Sequence, residues 1–376
     1  MNTREEIQQQ ALSAVLRNHR STAAISMGVG KTYLGLQYIQ KLQDNNMHKL
    51  NVLIVAPKLS IFKSWEDDAQ KFKLTGLLDQ IKFTTYISLP KLDPKAYDVV
   101  ILDECHSLLF RHQQFLAPFN GRILGLTGTP PRYQRSEKAQ MVNQFCPVVY
   151  KYITDEAVED KILNDYRIHV HMMSLGTANN VQVELKNQRF TTSEVKSYEY
   201  WTKRLAQATT KKMEQIASVM RMRALMDFKT KEDYARHLLA TIEDKCIIFC
   251  NTQDQADDLC EYSYHSNNEF SEMHLNAFKK GKITKLSCVS QLNEGVSVPN
   301  LRAGIILHAY GNERKSNQRI GRLLRLNPDD VATVHILCYR DTIDEKWVTE
   351  ALKDLDQSKI KYYSVKKESS HEDIYR

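Results

Sequence analysis

Short apolar runs rich in β-branched residues recur along this chain, and the stretches between them place their apolar residues at helical spacing. Strands that alternate with helices in this way build parallel sheets with helices packed on the faces. In the first half the strand candidates are 22–26, 51–56, 81–86, 98–102 and 122–126. Between the second and third, Ile61, Phe62, Trp65, Ala69 and Phe72 recur at the helical period. At that spacing Trp65 reads as core rather than as a platform for a stacked base. A second series follows residue 245, with strand candidates at 246–250, 285–289, 304–308 and 332–337 and helices near 254–262, 271–280, 316–325 and 342–354. The fold class is α/β, with two parallel-sheet domains in tandem.

At roughly 150 residues per domain, a chain of 376 residues accommodates that arrangement. The first domain is expected over 1–150 and a connector over 151–165. The second spans 166–360, and 361–376 is a loose polar tail. Within the second domain a strand over 167–174 and a polar stretch over 176–180 precede a basic helical segment at about 186–242, with long helices over 191–226 and 232–242. The net charge is +7, and 186–231, with eleven bases against four acids, carries a surplus of the same size. Such a concentration fits a polyanion partner, because Lys and Arg that neutralise phosphates release counterions. A solvated helical face is the other reading.

Seven cysteines form no CxxC pair and lie mostly in apolar runs, as small buried thiols of a reducing compartment do. The spacings of Cys246, Cys250, Cys260 and His265 match no common zinc pattern. The N-terminal residues lack the apolar segment of a secretory signal, and no run approaches the ~18 apolar residues of a membrane span. A soluble, cytoplasmic protein with no membrane partner is expected, in the host cytoplasm if the chain is viral.

Chemistry concentrates in a few motifs. Ser26, Met27, Gly28, Val29, Gly30, Lys31 and Thr32 follow a strand and open a helix carrying Leu34, Tyr38 and Leu42 on one face. Glycines there let backbone N–H groups converge on phosphate oxygens, Lys31 neutralises terminal phosphates, and the Thr32 hydroxyl can ligate Mg²⁺. Ile25 stands where the phosphate-loop pattern has its first glycine. The second motif is the strand at 98–102 ending in Asp103, Glu104, Cys105 and His106. Carboxylates at the C-terminal end of a parallel strand sit where open α/β sheets bind ligands. There Asp103 would hold Mg²⁺, partly through water, and Glu104 would act as general base on the attacking water.

Lys31-Thr32, Asp103 to His106, Thr127-Gly128-Thr129-Pro130 and Gln318 to Arg325 occur in the order and approximate spacing of motifs I, II, III and VI of superfamily 2 helicases. Ile54 to Lys58 with Trp65 resembles motif Ia, Ile247 to Asn251 motif IV, and Gln291 to Pro299 motif V. The resemblance covers about residues 4–350. Met27 to Thr32 and the Pro57, Trp65, Phe72 pattern look like Snf2-type DNA translocases. Asn293 to Pro299 and Gln318 to Arg322 resemble UvsW-type and XPB-like helicases of the DExH kind, and a compact chain mixing these features is similar to helicases of large bacteriophages.

The resemblance implies two RecA-like domains with an ATP cleft between them, and ATP and Mg²⁺ as cofactors. It makes Arg322 and Arg325 arginine fingers, with Gln318 beside them, and Gln8 the adenine-reading residue. Gly28, Gly30, Met27, Val29 and Gly295 join the nucleotide site, and His106, Thr127 and Thr129 couple it to nucleic acid. Pro57, Lys58, Asn251 and the Gly295 segment lie along the strand's path, mostly on phosphates. The implied function is an ATP-dependent DNA helicase or translocase, acting in unwinding, branch migration or annealing during replication, recombination or repair. Its partners would be single-stranded, duplex or branched DNA and replication or recombination proteins. A monomer is sufficient for the ATP site. An RNA helicase, or a nucleic-acid-binding module without turnover, is the alternative.

Overall fold

The computed structural model describes residues 2–131, 133–185, 188–289, 298–309, 330–353 and 355–365. The chain divides into two compact units with the boundary at Asp165.

The first unit is built on a six-stranded sheet of β1 (Arg20–Ile25), β2 (Val52–Ala56), β3 (Ile81–Thr85), β4 (Val99–Asp103), β5 (Arg122–Thr127) and β6 (Val148–Tyr152), in the order β3-β2-β4-β5-β1-β6. Every pairing is parallel. β2 and β4 are buried along their whole length, as expected for strands covered on both faces. Among the described residues six helices accompany them: α1 (Arg4–Leu16), α2 (Lys31–Asp44), α3 (Ser60–Lys71), α4 (Gln113–Leu116), α5 (Glu137–Phe145) and α6 (Thr154–Glu159). A Thr3–Glu6 capping box starts α1 and satisfies two backbone donors that the helix leaves open. On α3 the residues at i, i+4 and i+8, Ile61, Trp65 and Ala69, are the buried ones. Phe72 falls just past the helix end and stacks on Tyr33 at 3.8 Å.

Residues 151–165, read from the sequence as a connector, pack with this unit. Tyr152 closes the edge strand β6, and its hydroxyl donates to Asp160 at 3.0 Å. Asp160 in turn accepts the backbone N–H of Asn2 at 2.9 Å.

The second unit contains a seven-stranded sheet of β7 (Asp165–Met173), β10 (Cys246–Cys250), β11 (Ser263–Tyr264), β12 (Lys285–Val289), β13 (Ala303–Ile306), β14 (Val331–Tyr339) and β15 (Ile360–Ser364), in the order β11-β12-β10-β13-β14-β7-β15. A separate antiparallel hairpin pairs β8 (Val181–Leu185) with β9 (Gln188–Thr192). Among the described residues its helices are α7 (Glu194–Ala206), α8 (Lys211–Asp227), α9 (Lys229–Thr241), α10 (Gln253–Leu259), α11 (Ser271–Lys279) and α12 (Ile343–Leu352).

Three details depart from the sequence reading. The helix expected over 191–226 is two helices, because Thr210 caps a new N-terminus by accepting the Met213 N–H. The stretch before it holds a hairpin, and its alternating Val-Gln-Val-Glu-Leu suits a strand better than a helix. The tail expected from 361 begins as β15, which pairs in parallel with β7 from Ile360 to Ser364.

Candidate nucleotide site

The site of the first unit lies at the C-terminal ends of β1, β4 and β5. Ile25, which replaces a glycine of the phosphate-loop pattern, is the fully buried last residue of β1, so the loop proper starts at Ser26. Gly28 and Gly30 take φ of 89° and 108°, a region side chains with a Cβ rarely enter, and Gly30 caps α2. A Cβ on Gly30 would also lie 2.8 Å from Gln8 Nε2. Gln8, on α1 and only 2% exposed, donates from Nε2 to the Val29 carbonyl at 2.8 Å and to the Gly30 carbonyl at 3.0 Å. Its Oε1 is buried without a partner. A buried orphan acceptor beside a phosphate loop suits a ligand that brings an N–H donor, such as a purine amino group.

Lys31 opens α2, and its Nζ stands 3.8 Å from Glu104 Oε1. Glu104 follows β4 in the left-handed region, at φ 51° and ψ 55°. That conformation costs a non-glycine residue energy. Its carboxylate accepts from the Thr127 hydroxyl at 3.3 Å and lies 3.2 Å from His106 Nδ1. His106 Nδ1 and Thr127 Oγ1 are 2.8 Å apart, and Thr127 Oγ1 accepts the Thr129 N–H at 3.1 Å. With the ring proton on Nδ1, the tautomer these contacts favour, every group in the chain has a consistent donor or acceptor role. Burial pushes the Glu104 carboxyl up. Lys31, His106, the Thr127 hydroxyl and a backbone bond from Gly128 outweigh it and hold the group below the ordinary carboxylate range. The loop after β5 approaches the phosphate loop closely: a Cβ on Gly128 would lie 3.3 Å from Lys31 Nζ.

Asp103, 7% exposed at the end of β4, accepts the Trp65 indole N–H on Oδ2 at 2.9 Å. Its carbonyl accepts the Tyr86 hydroxyl at 2.9 Å. Neither contact is foreseen in the sequence reading, although a Trp at core spacing implies one, since a buried indole N–H needs an acceptor. Among the described residues no group of three or more His, Cys, Asp or Glu could hold a metal ion. That fits Mg²⁺, which is commonly held by one or two carboxylates and substrate phosphates rather than by an all-protein cage. Asp103 and Thr32 are the residues that would hold it.

The structure thus brings Gln8, Met27, Gly28, Val29, Gly30, Lys31, Thr32, Asp103, Glu104, His106, Thr127 and Thr129 into one unit. Pro57 and Lys58 follow β2, half-buried and exposed respectively. In the second unit Asn251 follows β10, and both polar atoms of its side-chain amide are buried without partners. Gly295, Gln318, Arg322 and Arg325 lie outside the described residues.

The basic segment needs one correction. Lys231 is fully buried and bonds Asp344, so it is not a surface cation. Lys203, Arg204, Lys211 and Lys212 are exposed around the turn between α7 and α8.

Parallel-sheet units, one with a phosphate loop facing an acidic strand end, define the class as a P-loop nucleotide-binding fold. Residues 2–132 match the family model described as the type III restriction enzyme res subunit. Residues 229–327 match the helicase conserved C-terminal domain. These two matches, in this order on two RecA-like folds, place the chain among the superfamily 2 helicases, enzymes that hydrolyse ATP.

A curated relative, the DNA 3'-5' translocase XPB2 of Sulfurisphaera tokodaii, is 22% identical over 380 residues, which is 88% of this chain and 81% of the relative. Among solved structures, the DNA-bound type ISP restriction-modification enzyme LlaBIII matches with a TM-score of 0.64 at 14% identity. The match covers 97% of this chain but only 31% of that larger enzyme. Dbp5 of S. cerevisiae, bound to RNA and ADP BeF3, matches with a TM-score of 0.58 at 13% identity over 96% of this chain and 89% of its own. Both structural likenesses concern the fold alone. No described helix is long and apolar enough to cross a membrane.

Proposed function

We propose that this chain is a DNA helicase or translocase in which hydrolysis of ATP drives movement on, or remodelling of, DNA. The observation that carries the chemistry is the Glu104 carboxylate. It is buried and held in its ionised form, bonded to Thr127 and His106, with Lys31 across the phosphate loop. The loop N–H groups and Lys31 bind the phosphates, and the Gln8 amide reads the base. Glu104 takes the proton of the attacking water. Mg²⁺, held by Asp103 and Thr32, would neutralise charge on the transferring phosphate. By the motif resemblance Arg322 and Arg325 would supply planar cations for that charge and Gln318 and Gly295 would serve the same nucleotide, four residues that lie outside the described ones. His106, Thr127 and Thr129 form a continuous polar chain leading away from Glu104, the route by which nucleotide state reaches the nucleic acid. The kinship with a DNA translocase favours DNA over RNA, with Pro57, Lys58 and the unpartnered Asn251 amide as contacts. Within the superfamily the UvsW-type, DExH reading is adopted, with branch migration or annealing in replication, recombination or repair as the task. The exposed cations at the α7–α8 turn provide a second phosphate contact.

The test is steady-state ATP hydrolysis with no nucleic acid, single-stranded DNA, duplex DNA, a four-way junction and single-stranded RNA, with Glu104→Gln as the blank. Strong stimulation by duplex or junction DNA is expected. Stimulation by RNA alone would move the protein to RNA, and stimulation by none would remove the motor reading.

A further inference from the structure

We propose that Trp65 is a positioning residue for the metal of this site: its indole N–H fixes the Asp103 carboxylate before any metal arrives. The inference rests on the ATPase reading above and extends it to a residue on another element. Trp65 is fully buried on α3, in the crossover that follows β2, whereas Asp103 ends β4, so the 2.9 Å bond ties a crossover helix to a strand end at the nucleotide site. The indole is tightly seated. A Cβ on Gly35 of α2 would lie 2.3 Å from its six-membered ring, so the phosphate-loop helix is shaped around it. A buried indole N–H cannot turn to water, and leaving it unpaired incurs the full desolvation penalty of the group. The ring therefore has one seat and its donor one acceptor. From below, the Tyr86 hydroxyl holds the Asp103 carbonyl at 2.9 Å, so backbone and carboxylate of the same residue are each fixed by a buried aromatic donor.

A carboxylate ordered in advance loses less entropy when it binds a cation, and partners that orient metal ligands typically account for 10–100-fold in metal affinity. Ordinary core packing would make Trp65 matter for stability alone. A positioning role makes it matter for metal affinity at constant nucleotide affinity.

The experiment measures Mn²⁺ binding to the full-length protein by electron paramagnetic resonance in the presence of saturating ADP. ADP binding without metal is measured in parallel by calorimetry in EDTA. Trp65→Phe keeps an aromatic ring and removes the donor. Its half-saturating Mn²⁺ concentration is expected to rise about 10-fold with metal-free ADP affinity unchanged. If Trp65→Phe does not fold, replacement of Trp65 by benzothienylalanine, which puts sulfur in place of the N–H at nearly the same shape, carries the same expectation. An unchanged Mn²⁺ curve overturns the proposal, and so does an equal loss of Mn²⁺ and metal-free ADP affinity, which marks Trp65 as packing. Failure of the ATPase reading is distinct: the wild-type protein itself would then show no ADP-dependent Mn²⁺ binding.

Discussion

At the strand ends of the first unit, Lys31 stands 3.8 Å from Glu104, beyond hydrogen-bond reach. At the strand ends of the second, Lys231 bonds Asp344 directly. It also lies 3.1 Å from His308 Nδ1 and 4.7 Å from the centre of the Tyr339 ring. Asp344 accepts the Tyr339 N–H as well, at 2.9 Å. Both lysines are placed by parallel sheets. The first is at 12% side-chain exposure, beside positive-φ glycines and a strained glutamate. The second has no exposure at all. The first arrangement keeps a cation available to a ligand, whereas the second spends its cation on the fold. Residue type and location at a strand end therefore do not identify a working lysine; spacing from its counter-charge and residual exposure do.

The comparison breaks most visibly if the two carboxylates are exchanged for amides. Glu104→Gln is expected to lower ATP hydrolysis by about 10²–10⁴-fold, the usual contribution of a general base, with ATP binding retained. Turnover equal to wild type would remove Glu104 from that role. In the second unit the same logic predicts a stability effect. Lys231→Met strands Asp344 as an uncompensated buried charge and should cost about 3–5 kcal/mol in denaturant unfolding. Adding Asp344→Asn should recover much of it, because the amide still accepts the Tyr339 N–H. A loss in the double variant as large as the sum of the single losses would mean that the pair is not coupled.

A smaller effect sharpens the picture of the second unit. His171 Nε2 and His335 Nδ1 are 3.0 Å apart, and the Tyr234 hydroxyl lies 2.9 Å from His171 Nδ1. His169 and Tyr363 pack against the same rings. Burial, and for His171 the neighbouring His335 and His169, bring each of the two down to about 3, and burial with His169 does so for His335. Each binds its proton more readily when unfolded, near 6.5, than when folded. The stability they contribute is present above pH 6.5 and is lost as pH falls towards 3. His335→Leu should remove about one proton, or roughly 1.4 kcal/mol per pH unit, from the slope of stability against pH within that window. An unchanged slope would show that the pair titrates in the folded state.

Much of this is legible in the sequence. The strands of both series lie within one or two residues of their expected bounds, because near-continuous β-branched runs have few alternatives in a buried parallel sheet. Lys31, Glu104 and Thr127 are brought together because the motifs carrying them end neighbouring strands, and Gln8 joins them from α1 through the Val29 and Gly30 carbonyls. Contacts made across crossovers were not legible. Trp65 and Asp103 are 38 residues apart, and Lys231 and Asp344 113, so no local pattern pairs them. In the sequence Lys231 counts as a surface charge for that reason, since its neighbours on α9 look like an ordinary charged helix start. The split of 191–226 turns on one side-chain cap at Thr210, which competes with continued helix by a margin of about 1 kcal/mol.

The smallest effect tests how Glu104 is kept available. Burial alone would raise its carboxyl, and the Thr127 hydroxyl is one of the groups that bring it down, after Lys31 and His106. Thr127→Val removes that donor while keeping the β-branched shape that suits the end of β5. With one stabilising bond to the carboxylate gone, the protonated form of Glu104 persists to higher pH, and a protonated carboxyl cannot accept a proton from water. The acid limb of the ATP hydrolysis profile should move upward in pH, with turnover on the alkaline side little changed. The single bond at stake is worth about 1 kcal/mol, so the shift is modest beside the loss in Glu104→Gln. Thr127 also accepts the Thr129 N–H and meets His106, so a plain structural role would lower turnover equally at every pH. Only a change in the shape of the profile ties Thr127 to the proton on Glu104.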